Sequence, residues 1–223
     1  MGSIETGKSI GVQLHNLLRE AIVRGELRPG EALSETDIAA RYSVSRQPVR
    51  EAFIRLAQER LVAVLPQRGT FVVKISIRDV QDVRFVREAI EIAVVREAAE
   101  QRDPALVKSL RSILAQQRKV KGGDNAAFLA LDEQFHQTIA LATGREHAWR
   151  VIDQIKAQMD RVRYLSYDAA TPLSRLVEQH TAIVDAIEAG DPIAAEKAMH
   201  HHQQEILQSL SALAQRFPDA FEL

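Results

Sequence analysis

Six of the seven histidines in this 223-residue sequence fall after residue 130, and three of them sit where a helical repeat turns them inward. Asp132 and His136 are spaced i,i+4 in line with Leu129 and Ile139. His180 lies in line with Leu176, Ile183, Val184 and Ile187, and His202 with Ala195, Met199 and Ile206. Three imidazoles and one carboxylate on the apolar faces of separate helices are a donor set for a borderline divalent cation such as zinc, nickel or manganese. Taken singly, each histidine could equally be a hydrogen-bonded core residue. In the run His200-His201-His202, the first two lie about 200° and 100° of helical turn from the third, so only one can be central, and Met199 and Ile206 favour His202. His147, near a helix start, reads as surface. The chain has no cysteine, so nitrogen and oxygen must hold any metal, and a disulfide or a cysteine nucleophile is excluded.

Arg87 shares the stripe Val83–Arg87–Ile90–Val94, which points its guanidinium inward, where it needs an anion. Two candidates remain open, a small carboxylate effector and Glu91 one turn on, and both could hold. Arg163, one turn after Met159, is a second candidate for effector contact; Tyr164 and Tyr167 would line a pocket or pack. Glu133-Gln-Phe-His136 has the Glu-x-x-His spacing of di-iron bundles, which would make this a metalloenzyme. No second copy occurs, and Glu133 points about 100° away from Asp132 on a helix. The expectation is therefore of a non-enzyme.

The elements that must position these residues are long helices. Asp103-Pro104, Gly122-Gly123, Thr143-Gly144, Thr171-Pro172 and Gly190-Asp191-Pro192 punctuate the chain, predicting six helices over 79–101, 104–121, 124–142, 145–168, 172–189 and 192–216. The first 78 residues read differently. Leu14, Leu17, Leu18, Ala21 and Ile22 follow helical spacing; Ser34 with Asp37 opens a short second helix; Ser45 caps a third over 46–58, with Ala52, Phe53, Leu56 and Ala57 inward. Leu61–Leu65 and Thr70–Val73 flank Pro66-Gln67-Arg68-Gly69 as a hairpin. The fold expected is mainly α: a winged helix-turn-helix over 1–74, a linker over 75–78 and an all-α bundle over 79–223.

Charge divides at the same place. The chain carries 29 Lys+Arg against 30 Asp+Glu, yet residues 1–78 hold 12 basic and 8 acidic side chains and residues 79–223 hold 17 and 22. A net charge of −1 thus conceals a basic module with a nucleic-acid footprint. Arg46 and Arg50 stand one turn apart at the start of the third helix, the end that enters the major groove, where an arginine reads guanine O6 and N7. Pro48 is tolerated in that first turn. Ser45 and nearby backbone N–H groups can hold a phosphate, and Arg68-Gly69 suits a wing contact. A solvated basic face is the plain alternative; the wing, the cap and the charge division favour DNA. No apolar run approaches a membrane span and no secretory segment opens the chain, so a cytoplasmic protein without membrane contact is expected.

Leu27-Arg-Pro-Gly30, Leu33-Ser-Glu35, Ile38-Ala39, Val44-Ser-Arg-Gln-Pro-Val-Arg-Glu-Ala52, Leu56 and Arg68-Gly-Thr-Phe-Val72 resemble the N-terminal domain of GntR-type transcriptional regulators. Val83-Arg-Phe-Val-Arg87-Glu-Ala-Ile-Glu91, Asp132-x-x-x-His136, Glu178-Gln-His180 and Ala198-Met-x-x-His202 resemble the FCD domain of the FadR subfamily. The resemblance implies a homodimer binding a palindromic operator on double-stranded DNA. It puts base reading on Arg46 and Arg50, a phosphate contact on Thr36 and the wing glycine on Gly69. It also implies a metal on Asp132, His136, His180 and His202 with a small carboxylate effector against it, and argues against the subfamily's metal-free, acyl-CoA-binding branch. Three residues differ from the common pattern: Ser43 and Arg60 where glycine is usual, and Gln47 in place of threonine. The function expected is a ligand-responsive regulator, a repressor; the alternatives are a bundle metalloenzyme and a DNA binder with a purely structural metal.

Overall fold

The computed structural model describes residues 4, 7, 9–167 and 169–222; the outermost residues of both expected modules and position 168 lie outside the described residues. The N-terminal module follows from short apolar stripes. Helices α1 (Ile10–Val23), α2 (Glu35–Arg41) and α3 (Arg46–Gln58) bury Leu14, Leu18, Ile22, Ile38, Val49, Phe53 and Leu56 against one another. Ser34 opens α2 by accepting the Asp37 N–H at 3.2 Å, the expected cap. Strands β1 (Ala32–Leu33), β2 (Val62–Leu65) and β3 (Gly69–Val72) form an antiparallel sheet in the order β1-β3-β2, with Leu65 opposite Gly69 at the wing tip. This is a winged helix-turn-helix.

Ser43 and Arg60 both adopt left-handed backbone, with φ of 54° and 56°. Each ends a helix, where glycine costs least because it lacks a Cβ. The two departures from the usual glycine therefore store strain at the joints on either side of α3.

Residues 75–78, expected as a linker, are ordered. They form β4 (Ile75–Ser76) and the first residues of α4 (Ile77–Gln101), whose N–H at Asp79 is capped by the Ser76 hydroxyl. The bundle continues with α5 (Pro104–Gln117), α6 (Asn125–Ala142), α7 (Glu146–Ile155), α8 (Ala157–Ser166), α9 (Leu173–Ala189) and α10 (Pro192–Arg216). Asp103-Pro104 and Asp191-Pro192 start α5 and α10 with an aspartate cap and a proline at the first helical positions. Gly190 ends α9 at φ +66°, a left-handed backbone that glycine adopts without a Cβ penalty. A strand absent from the sequence reading, β5 (Phe221–Glu222), returns to pair in parallel with β4, Ile75 opposite Phe221.

The helix expected over 145–168 is two helices. At Lys156 the backbone turns to ψ −8°, while its ammonium is drawn inside to Glu133 at 2.5 Å and Asp160 at 2.8 Å. No glycine or proline marks this break. Residues 156–163 are all buried although five of the eight are polar, because α8 is wedged between bundle and reader. Arg161 donates to the Val73 carbonyl at 2.9 Å, Gln158 to the Arg60 carbonyl, and Asp160 accepts from Arg19 of α1 at 3.1 Å. Ala157 packs into the reader's own core.

Candidate functional site

On the reader, Thr36, Ser45, Arg46, Arg50, Arg68 and Gly69 are all exposed. Ser45 caps α3 in extended conformation without a side-chain bond to the helix, leaving its hydroxyl free for a ligand. Gly69 has φ +103°, which the wing turn requires. Arg46 and Arg50 share one carboxylate, that of Glu35, at 2.7 and 2.9 Å. The Arg46 hydrogen bond, despite the cost of removing the carboxylate from water, holds the Glu35 pKa below its ordinary value, with Arg50 assisting.

Asp132 and His136 on α6, His180 on α9 and His202 on α10 converge in the bundle core, with one donor atom from each within 4.8 Å of the others. His202 Nε2 lies 3.2 Å from His136 Nε2 and 3.4 Å from His180 Nε2; Asp132 Oδ1 lies 3.4 Å from His180 Nε2. The opposite ring nitrogens are held from outside. His180 Nδ1 donates to Gln117 Oε1 and His202 Nδ1 to Gln179 Oε1, both at 3.0 Å, and His136 Nδ1 lies 2.9 Å from Glu91 Oε2. With the protons on Nδ1, three Nε2 lone pairs face one another, an arrangement suited to a cation. Donors about 2.0–2.1 Å from a shared ion lie roughly 2.9–3.4 Å apart, so the spacing fits. Burial first, and for His180 and His202 the neighbouring imidazoles next, hold all three histidine pKa values below the ordinary one. The neutral, ligating form is thus the stable one.

A small cavity of about 30 Å³ opens beside this cluster, lined by Arg87, Asp132, Arg163, Tyr167, His202 and Gln203 among others. Arg87 is 1% exposed; its Nε donates to Glu91 Oε1 at 2.8 Å and its Nη2 has no hydrogen-bond partner. Burial opposes the Glu91 charge, but Arg87 and His136 together draw its pKa down to about 2. The internal pair is therefore formed and one edge of the guanidinium is still open to an anion. Arg163 donates through Nη1 to Asp160 at 3.3 Å and to Glu133 at 3.4 Å; its Nη2 lies against Asp132 Oδ2 and, like Arg87 Nη2, has no hydrogen-bond partner. Tyr167 lines the cavity and Tyr164 does not. His200 and His201 are exposed, and Glu133 faces Lys156 and Arg163 and is not among the four clustered donor residues.

Residues 11–72 match the profile of the bacterial regulatory proteins of the gntR family, and residues 82–205 match the FCD domain. The chain belongs to the GntR family. It is a DNA-binding transcriptional regulator with an FCD domain behind its reader. It is 40% identical to the HTH-type transcriptional repressor RspR of Escherichia coli K12, over 95% of this chain and 93% of that protein. It is 29% identical to the gluconate operon transcriptional repressor of Bacillus subtilis, over 89% and 84%. Among solved structures it is similar to a GntR transcriptional regulator from Rhodococcus sp. RHA1, at 28% identity and a TM-score of 0.75 over 92% of this chain and 99% of that one. It shares its fold with E. coli McbR/YncC, at 23% identity and a TM-score of 0.78 over 94% and 99%. None of the helices of this GntR protein, among the described residues, is long and apolar enough to cross a membrane.

Sequence reading missed Gln117 and Gln179 as holders of the histidine rings and saw Glu91 only as an arginine partner. Gln117 had a usable signal: it continues the stripe Leu106, Leu110, Ile113, Leu114 of α5, and a polar residue there needs a bonded partner.

Proposed function

We propose that the protein is a repressor that binds a palindromic operator as a cytoplasmic homodimer and senses a small carboxylate at a metal. Arg46 and Arg50 read bases; Thr36, Ser45, Arg68 and Gly69 hold phosphate or the minor groove. Asp132, His136, His180 and His202 would hold zinc, nickel or manganese, which would supply Lewis acidity toward a carboxylate. Arg87, through its open Nη2, takes the same carboxylate, and Arg163 gives a second contact once it is released from Asp132.

The observation that carries this reading is the convergence of three neutral Nε2 atoms beside a buried guanidinium with an unpaired N–H group. A purely structural metal would need no spare cation at its edge. The names of the relatives agree: two are repressors, and one belongs to a gluconate operon, gluconate being a small acid of this class. The acids that engage Arg163, Asp160 and Glu133, lie on the face of α8 and α6 that meets α1, so displacement of Arg163 would disturb the seat of the reader.

The test is operator binding by fluorescence anisotropy, with a duplex that the protein itself selects from a random library. Metal-free protein, zinc-loaded protein and zinc-loaded protein with aldonates or dicarboxylates are compared. An acid that acts should shift affinity about 5–150-fold, the usual range of coupling. Zinc-loaded protein whose DNA affinity no acid changes would overturn the sensor reading.

A further inference from the structure

We propose that Glu35 is the positioning residue of the DNA reader: its carboxylate fixes Arg46 and Arg50 with their guanine-reading forks turned outward. This rests on the reading of those two arginines as base readers.

A single oxygen, Glu35 Oε2, accepts from Arg46 Nε at 3.2 Å, from Arg46 Nη2 at 2.7 Å and from Arg50 Nε at 2.9 Å. All three donors belong to the side edges of the guanidinium planes. The end-on edges are left free, since no other acceptor bonds either guanidinium among the described residues. Bidentate reading of guanine O6 and N7 needs one such fork per arginine. Two arginines one turn apart repel each other, and each carries a long, mobile stem that a DNA phosphate would readily capture. The carboxylate placed between them offsets the repulsion and withholds the side edges from phosphate.

Glu35 is not occupied with another task. It is the first residue of α2, but the capping of that helix falls to the Ser34 hydroxyl, which accepts from Asp37. It joins α2 to α3 across 11 and 15 residues of sequence, so the register of the two helices sets where the forks point.

The experiment compares wild type, Glu35→Asp, Glu35→Gln and Arg46→Ala on two probes, the duplex selected by wild type from a random library and a scrambled duplex of the same composition. Glu35→Asp keeps the charge at the helix start and shortens the reach; Glu35→Gln keeps the length and removes the charge. Positioning predicts that both lose about tenfold on the selected duplex, within the range of one bidentate contact. Binding to the scrambled duplex should hold in Glu35→Asp and strengthen in Glu35→Gln, with melting temperatures unchanged. A carboxylate that acts only as charge would leave Glu35→Asp like wild type, and that result overturns the proposal. So does a Glu35→Asp loss that is equal on both probes, the mark of a misfolded reader. If Arg46→Ala also leaves the selected-to-scrambled ratio unchanged, the base-reading assignment itself has failed; if only the Glu35 variants do, the assignment stands and this proposal falls.

Discussion

Arg87 and Glu91 meet at 2.8 Å on one face of α4 with almost no solvent contact, whereas Arg46 and Arg50 meet Glu35 at 2.7 and 2.9 Å on side chains that are 57% and 53% exposed. The chemistry is the same and the consequence is opposite. A buried pair that loses one member leaves an uncompensated charge in low dielectric. An exposed pair is screened by water and salt and contributes about 0–1 kcal/mol, so it can orient its arginines while adding little to stability. The interior pair braces the histidine cluster, through His136. The surface group leaves the outer edges of its two guanidinium groups open.

The largest expected effect separates the two directly. Arg87→Ala should lower unfolding free energy by about 3–5 kcal/mol in a denaturant titration, while Arg46→Ala should stay within about 0.5 kcal/mol. Equal losses would remove the distinction. Next in size, Gln117→Ala and Gln179→Ala should each weaken zinc affinity about 10–100-fold in competition with a chelator, as loss of a ring-orienting partner does. Unchanged affinity in both would mean that the histidines need no outer support.

The Lys156 ammonium tests an intermediate case at the junction of the modules. Burial disfavours its charge, but Asp160 and Glu133 outweigh this and hold its pKa above the ordinary value. Its contribution to stability is therefore complete below the unfolded value of about 10.4 and is lost as pH rises through the higher folded one. The difference in stability between wild type and Lys156→Met should be constant from neutral pH to about 10 and shrink above it. A difference that already shrinks between neutral pH and about 10 would contradict the sign. The smallest effects belong to the strained joints: Ser43→Gly and Arg60→Gly should each stabilise by about 0.5–1 kcal/mol, read as a rise in melting temperature.

Fold class, the boundaries of α3, α6, α9 and α10 to within a residue, and the wing were legible because caps, prolines and apolar stripes act locally. Asp132, His136, His180 and His202 could be grouped because helical phase is a local property too, even though their meeting is not. What stayed hidden depended on distant neighbours. Lys156 breaks a helix because Glu133 and Asp160 pull its side chain inward, and the two-residue β4 and β5 have no pattern until they find each other across the chain. α8 was not separable from α7 in the sequence, because the contacts that bury it, with α1 and the Val73 carbonyl, are invisible in its own residues. Glu35 stood in plain view as a helix-start acid, and only the placement of α2 beside α3 gives it two arginines.

The pairing of β5 with β4 has a consequence for anyone recombining these modules. The peptide between reader and bundle is held twice, once by its own covalent continuation into α4 and once by a strand from the far end of α10, with Phe221 fully buried behind it. A foreign reader spliced on at residue 75 would inherit that clasp, and its own surface would have to receive Ala157, Gln158 and Arg161. Exchange of readers in this protein is therefore the transplant of an interface, and a graft that matches the sequence boundary but not the α8 face should yield a hybrid whose two halves each fold and no longer answer to one another.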